Sequence, residues 1–381
     1  MHGTIESDFQ VELRSLGEIA TFATALRTLA DRALEPNVFY EPAFLAAAAP
    51  VFGRDARAGL VWKGGTPGRL IGFFPVRIER NRYGLRMPVL TGWVHPYAPL
   101  GTPLVDRELG EAAIDAWLDH IATDSALPKR LLLPLLPTRG AVADTFDAVL
   151  RRRGARSALF ARHQRAMLAP DGDRERYLER AMVRKRRKER RRQRNRLADM
   201  GAIASTIATE PPALTAALGE FLTLEARGWK GRAGTAARDN QNIQAFVERA
   251  VTALAAEGKA GVARLAVDTR VVAAIVTLRS GDTAWCWKIA YDERYSRLSP
   301  GVQLLLDVTR TLLDDPRVAK ADSCATADHP MIDHIWRERL ALADRLICVA
   351  PGGRFGFVCA LEAIRSTALA AARRMRDLLR R

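Results

Sequence analysis

The densest chemistry in this chain lies between Trp285 and Leu306. Lys288 stands between Trp287 and Ile289 in an apolar run, and Tyr291 closes that run. A polar segment follows, and then Ser299-Pro300-Gly301-Val302. The pattern predicts a strand at 283–290, a polar loop at 291–299 and a helix from Pro300. Ser is a good N-cap and Pro suits the first helical turn. The first N–H groups of such a helix lack intrahelical partners and carry positive partial charge. Ser299, Pro300, Gly301 and Val302 therefore make a candidate cradle for a phosphate or a developing oxyanion. The plainer alternative is an ordinary capped helix.

Other residues could handle protons near that strand. His329 follows a predicted strand end, next to Asp328 and before Pro330, and its ordinary pKa of about 6.5 suits a base. It could equally be a helix-entry His bonded to backbone. Asp322 ends the apolar strand expected at 318–324, where it lines a cleft or braces the next turn. Glu225 precedes Gly228-Trp229-Lys230 and is a second candidate base, or a solvated helix residue. Tyr291 can protonate a leaving group. Trp229 and Lys230 sit in an expected glycine-rich loop, where Lys230 can meet phosphate and Trp229 can pack an extended ligand or close the core. A charge inside an apolar strand, as at Lys288, needs a partner, and strict alternation turns it away from both neighbours. His95 and Tyr97, in a Pro/Gly-rich stretch, are candidates to line an acceptor groove or simply to pack. No metal site is expected.

These residues need a scaffold, and the chain is long enough to supply one. At 381 residues and 48% hydrophobic it can bury a large core and is expected to form two domains, 1–170 and 171–381. In the first, helices are expected at 16–33, from Glu41-Pro42, at 107–123 and at 140–152, with strands at 58–63, 69–79 and 129–136. Pro88–Pro103 reads as a fixed loop. In the second, a basic helix (173–200), a strand (202–208) and a helix (211–227) lead to the Gly-rich loop and a helix at 239–257. Strands at 260–267, 271–279 and 283–290 follow, joined by turns at Asp268-Thr-Arg and Ser280-Gly-Asp. The helix at 300–314, strand 318–324, helix 330–341, strand 344–350 and a long C-terminal helix complete the order. This is an α/β fold.

Charge is concentrated. The net charge is +16, and Arg184–Arg196 carries ten Lys/Arg against Glu189, a net of +9 that leaves +7 for the rest. Three readings compete for this helix: RNA phosphates, an anionic membrane surface worth roughly 1 kcal/mol per basic residue, or a solvated flank of a site that holds anionic donors. The run has no aromatic residue, which argues against base stacking. The C-terminal helix sets Phe357, Leu361, Ile364, Ala368, Ala372, Met375 and Leu379 on one stripe bordered by Arg365, Arg373, Arg374, Arg376 and Arg380. That stripe reads as core docking in its first half and as an interfacial membrane helix in its second. Cys286, Cys324, Cys348 and Cys359 form no CxxC and read as reduced cysteines of a cytoplasmic protein. No signal peptide and no run of about 18 apolar residues is evident.

Residues 174–350 resemble the GNAT-superfamily branch related to the cellulose-biosynthesis protein CelD. The resemblance rests on Arg196-Leu-Ala-Asp-Met-Gly, on Leu224-Glu-Ala-Arg-Gly-Trp-Lys-Gly-Arg-Ala-Gly-Thr, and on Lys288-Ile-Ala-Tyr-Asp-Glu-Arg-Tyr with Ser299-Pro-Gly. It implies two tandem GNAT-like lobes, the first degenerate as in Fem-type peptidoglycan aminoacyltransferases and the second holding the donor. It also implies transfer of an acyl group from acyl-CoA to an amine. One departure stands out. Where many members carry a glycine-acidic turn, an aromatic and a Lys, this chain has Asp322-Ser-Cys-Ala-Thr-Ala-Asp-His329-Pro-Met-Ile-Asp-His334. That departure points away from a polysaccharide acceptor and leaves room for lipid amines, as in GNAT-type bacterial ceramide synthases. The alternatives are an acetyltransferase acting on exopolysaccharide or amino-sugar precursors, a Fem-like transferase with an aminoacyl-tRNA donor, and a nucleic-acid-binding role without catalysis.

Overall fold

The computed structural model describes residues 8–350 and 354–379, without the side chains of 373, 374 and 376–379. The chain divides into two compact units. One comprises residues 1–42, 52–163 and 341–381, and the other residues 43–51 and 164–340. In the middle of the chain the cut falls at 163/164. The last strand and helix return to the first unit, while most of one early helix belongs to the second.

The first unit holds β1 (Phe9–Ser15), α1 (Ala23–Asp31), β2 (Arg57–Lys63), β3 (Arg69–Glu79), β4 (Val89–Gly92), β5 (Leu104–Val105), α3 (Gly110–Thr123), β6 (Arg130–Pro137) and α4 (Ala141–Arg152). β1, β2, β3 and β4 pair antiparallel in turn, and β4 runs parallel to β6. Its core stacks Trp117 on Phe74 at 5.3 Å. A Cβ on Gly59 would lie 2.7 Å from the Trp117 ring, so only glycine fits beneath it. Inside the stretch expected to be a loop, Val89–Gly92 is a strand, because all four residues are buried and their backbone completes the ladder of β3. His95 also belongs to this packing. It stacks on Phe52 at 4.0 Å, and burial pushes its pKa down to about 3, so it stays neutral. Tyr97 donates its N–H to His95 Nδ1 at 3.4 Å.

β7 (Ser157–Leu168) leads into the second unit, a long strand that its charged sequence does not announce. The basic helix is broken in two. α5 here denotes Tyr177–Ala181 and α6 denotes Arg184–Ala198, with Met182 and Val183 extended between them. β8 (Ile203–Ala208), α7 (Pro211–Arg227), α8 (Trp229–Arg232) and α9 (Gln241–Ala256) follow. α8 is one helical turn in place of the expected Gly-rich loop. β9 (Ala260–Val267), β10 (Arg270–Ser280) and β11 (Thr283–Tyr291) form an antiparallel meander with β8 at its edge. α10 (Pro300–Asp314) then crosses to β12 (Lys320–Asp322), which runs parallel to β11 and antiparallel to the end of β7. Side chains alternate across this sheet. Ala263, Leu265, Ala273, Ile275 and Ala284 pack with α10, α5 and Leu197 of α6. The opposite face carries Trp287, which meets Phe246 of α9 and Phe44 of α2 (Pro42–Phe52) at 6.2 and 5.8 Å.

The helix expected at 330–341 is absent. Residues 327–335 are turns, and Glu338–Cys348 form β13, which pairs antiparallel with β6 through its 342–348 segment. Glu, Arg, Leu and Ala favour helix in isolation, but the open ladder of β6 outweighs that preference. α11 (Phe355–Leu379) docks through Phe355, Val358 and Glu362, not through the predicted stripe. Phe357, Ile364 and Met375 of that stripe are 52%, 66% and 65% exposed. The side chains of Arg373, Arg374, Arg376, Leu379 and Arg380 lie outside the described residues.

Candidate active site

β11 carries an irregularity that sets the site. Val276 of β10 pairs with Lys288 while Thr277 pairs with Cys286, so Trp287 is an extra residue with no opposite number. Such a bulge breaks the alternation of faces. Cys286 and Ile289 both pack on the α10 side. Trp287 and Lys288 both turn toward α7 and α9. Lys288 Nζ lies 5.7 Å from the Trp287 ring centroid and 3.8 Å from Glu225 Oε1. Strict alternation would have separated Lys288 from Trp287.

Glu225, near the end of α7, is 4% exposed. Its Oε1 accepts from Lys230 Nζ at 2.6 Å and its Oε2 from the Ala237 N–H at 3.0 Å. Burial alone would raise its pKa, but Lys288 and Lys230 outweigh it and hold the carboxyl below its usual range. Glu225 is therefore a fixed anion with both oxygens occupied, and its proton affinity is low for a base. Lys288 is the reverse case. Burial, and then the charge of Lys230, push its pKa down to about 8, against the opposing pull of Glu225. A lysine there can exchange a proton near neutral pH.

Asp322, at the end of β12, has partners of its own. One oxygen accepts from the Cys324 N–H at 2.9 Å, and the other receives Arg165 Nη2 in a pair that is 3% and 4% exposed. Cys286 and Cys324 flank it, and burial first, then Asp322, raise both thiol pKa values. Both are therefore thiols, poor nucleophiles at neutral pH. Arg165 is not legible as a site residue in the sequence because it lies in the unexpected β7.

On the other side, Ser299 opens α10 without capping it through its side chain. It adopts φ 51° and ψ 53°, a left-handed conformation uncommon outside glycine. Its Oγ instead accepts from Arg190 Nη1 at 3.2 Å. Gly301 serves packing. A Cβ there would meet Tyr291 Cδ1 at 3.2 Å and the Met331 methyl at 3.3 Å, so a side chain would point into protein and not toward a ligand. Val302 and Pro300 are buried in the same turn. Glu293, in the 3₁₀ turn after β11, accepts from the Trp229 N–H at 2.7 Å and from Arg232 Nη2 at 2.6 Å, tying α8 to this loop. Trp229 itself is 53% exposed and closes no core.

His329 follows β12, and Asp333 is the charge that acts on it. It is half-buried in the turn after β12, its Nδ1 accepts the Met331 N–H at 3.4 Å, and burial lowers its pKa despite Asp333. His334 is exposed in the same turn, not within a helix.

Residues 184–328 match the family described as "Acetyltransferase (GNAT) domain". The chain therefore carries a GNAT acetyltransferase domain in these residues. The match begins with α6 and ends one residue before His329, so it includes the bulge, Glu225, Ser299 and Asp322. Among solved structures it is similar to FemX, at 10% identity and TM-score 0.55, over 86% of this chain and 96% of that one. It is also similar to the C-terminal domain of a putative lysylphosphatidylglycerol synthetase from Agrobacterium fabrum (10%, TM-score 0.54, 91% and 96%). A third is L-PGS from Bacillus licheniformis (12%, TM-score 0.51, 91% and 96%). At these identities the likeness is one of fold. No curated protein sequence matches the chain.

Proposed function

We propose that this acyltransferase moves an acyl group from a CoA thioester to an amine carried on a lipid, with Lys288 as the proton acceptor. The observation that carries the reading is the bulge in β11, which turns the low-pKa Lys288 onto Glu225 at the strand that feeds the α10 N-terminus. The donor's diphosphate sits at the N-terminus of α10, where Pro300 has no N–H, Val302 and Gln303 donate theirs to the Ser299 carbonyl, and the Gly301 N–H is the one left to meet it. The amine nitrogen attacks the thioester carbonyl, a C–N bond forms, and the C–S bond breaks. Neutral Lys288 takes the proton that the amine loses, and CoA leaves as the thiolate. Glu225, held by Lys230 and the Ala237 N–H, keeps the protonated Lys288 stable and oriented. Lipid as acceptor is supported by the exposed apolar side of α11 and the basic α6. Solved proteins of this fold include one titled as a lysylphosphatidylglycerol synthetase.

The test is thiol release from acyl-CoA in the presence of single-chain lipid amines across pH 6–10. Wild-type kcat/KM is expected to rise and level off near pH 8. Lys288→Met is expected to lose about 10²–10⁴-fold in turnover and the break with it, while His329→Ala stays near wild type. A Lys288→Met enzyme with full turnover and the same break would overturn the assignment. Loss of activity confined to His329→Ala would move the base to that turn.

A further inference from the structure

A cavity of about 570 Å³ runs along the outer side of α10, between that helix and α5–α6. Its size falls within the range of small-molecule sites. The floor is apolar, made by Leu178, Met182, Leu306 and Leu313. The walls carry Arg187, Arg190, Arg191, Arg194 and Arg310, with Glu175, Glu179 and Asp314 at the rim. Arg174 also lines it, but its guanidinium is spent on the carbonyls of Leu312, Leu313 and Val318.

The arginines differ in what they already hold. Arg194 and Arg310 both pair with Asp307, at 2.9 and 2.7 Å. Arg187 lies 3.7 Å from Glu179. Arg190 is half-buried, yet its guanidinium donates only to neutral oxygens, Gln193 Oε1 at 2.8 Å and Ser299 Oγ at 3.2 Å. Arg191 has no ion pair among the described residues. A half-buried cation with no ion pair is costly, and the local field adds to the cost: burial first, then Arg186, depress the Arg190 pKa, against the weaker pull of Glu189. Gln303 fixes the wall by donating to the Arg190 carbonyl at 2.9 Å. The end of the groove at Arg190 touches Ser299, the residue that opens α10.

We propose that this groove seats the nucleotide half of the thioester donor, with the purine on the Leu178–Met182–Leu306–Leu313 floor and its ribose phosphate between Arg190 and Arg191. This rests on the acyl-CoA reading above and extends it. A donor whose diphosphate lies at the α10 N-terminus reaches the groove at Ser299 and Arg190. The groove's charge and apolar floor complement a phosphorylated purine nucleoside. The basic helix then contributes to donor recognition from outside the strand–turn–helix segment.

The probe is adenosine 3′,5′-bisphosphate, which lacks thiol and acyl group, titrated by calorimetry into the full chain, with CoA in parallel. Arg190→Gln/Arg191→Gln is expected to weaken both ligands about tenfold or more, because a hydrogen bond from a guanidinium to a phosphate is worth at least that factor in an equilibrium constant. Arg192→Gln, on the exposed side of α6, is expected to leave both affinities unchanged. Wild-type binding of the bisphosphate that the double variant retains, or no binding by wild type, would overturn the groove assignment. The two readings fail separately. Arginine-dependent bisphosphate binding without acyl-CoA turnover leaves the groove and removes the reaction. Acyl-CoA turnover with an unchanged KM in the double variant leaves the reaction and removes the groove.

Discussion

At the scale of single residues, the site turns on how burial and charge lower two neighbouring proton affinities for different reasons. Lys288 loses affinity because its ammonium is desolvated and Lys230 is near; Glu225 loses affinity because two ammonium groups surround it. Glu225 opposes the fall at Lys288, so removing its charge lets that pKa drop further. Glu225→Gln keeps the size of the side chain and an acceptor for Lys230. The kcat/KM break is therefore expected to move from about pH 8 to lower pH. Turnover at saturating pH is expected to fall as well, since protonated Lys288 loses its stabilising anion. A pH profile on the variant checks this, and a break that stays put or moves upward would show that Glu225 does not act through Lys288. The residue types here are visible in sequence, but the pairing is not. Nothing in Lys288-Ile-Ala-Tyr marks an extra residue at Trp287, and alternation sends Lys288 to the wrong face.

At the scale of elements, the strongest sequence patterns fall on the right segments. The sequence places β3 at 69–79 and α10 at 300–314, and both are there, because an unbroken apolar run and a Pro-opened amphipathic pattern leave few alternatives. The misses are where tertiary pairing decides. In β7, charged and apolar residues alternate poorly, and it exists because β13 and β12 offer it ladders on its two sides. Residues 330–341 have helical composition and form turn and strand. The Ser-Pro-Gly motif is legible as a helix start, but its glycine has a packing reason that spacing cannot reveal. Gly301→Val would drive methyl groups into Tyr291, Ile289 and Met331. Overpacking of this kind costs about 1–3 kcal/mol. The expected outcome is a lower urea midpoint together with a raised KM for the donor, as the first turn of α10 is pushed off Tyr291. Unfolding curves and donor titrations check it; a fully stable variant with unchanged KM would mean the turn is not packed as described.

At the scale of the whole molecule, the question is where a chain of net charge +16 works. The 18 residues from Phe355 to Ala372 have mean hydropathy 1.4 and are only 17% buried. They are long and apolar enough to cross a membrane, yet their inner side is pinned to protein. Glu362 is fully buried, receives Arg82 Nε and Nη2 at 2.8 and 2.9 Å, and accepts from the Tyr83 hydroxyl at 2.8 Å. A buried ion pair of this kind is costly to break, about 3–5 kcal/mol when one partner is removed. It opposes withdrawal of α11 into a bilayer and leaves Phe357, Ile364, Leu369 and Met375 facing outward, the arrangement of a helix that lies on an interface. The basic α6 would add electrostatic attraction of about 1 kcal/mol per residue near an anionic surface, screened as salt rises. Vesicles with anionic lipid are therefore expected to sediment the protein at low salt and release it at high salt, while neutral vesicles hold little. Two variants separate the contributions. Phe357→Gln/Ile364→Gln is expected to weaken binding at every salt concentration. Replacement of five arginines between Arg186 and Arg196 with Gln is expected to flatten the salt dependence. Equal sedimentation with neutral and anionic vesicles, or none with either, would remove the membrane surface from this reading and point to a soluble amine as acceptor.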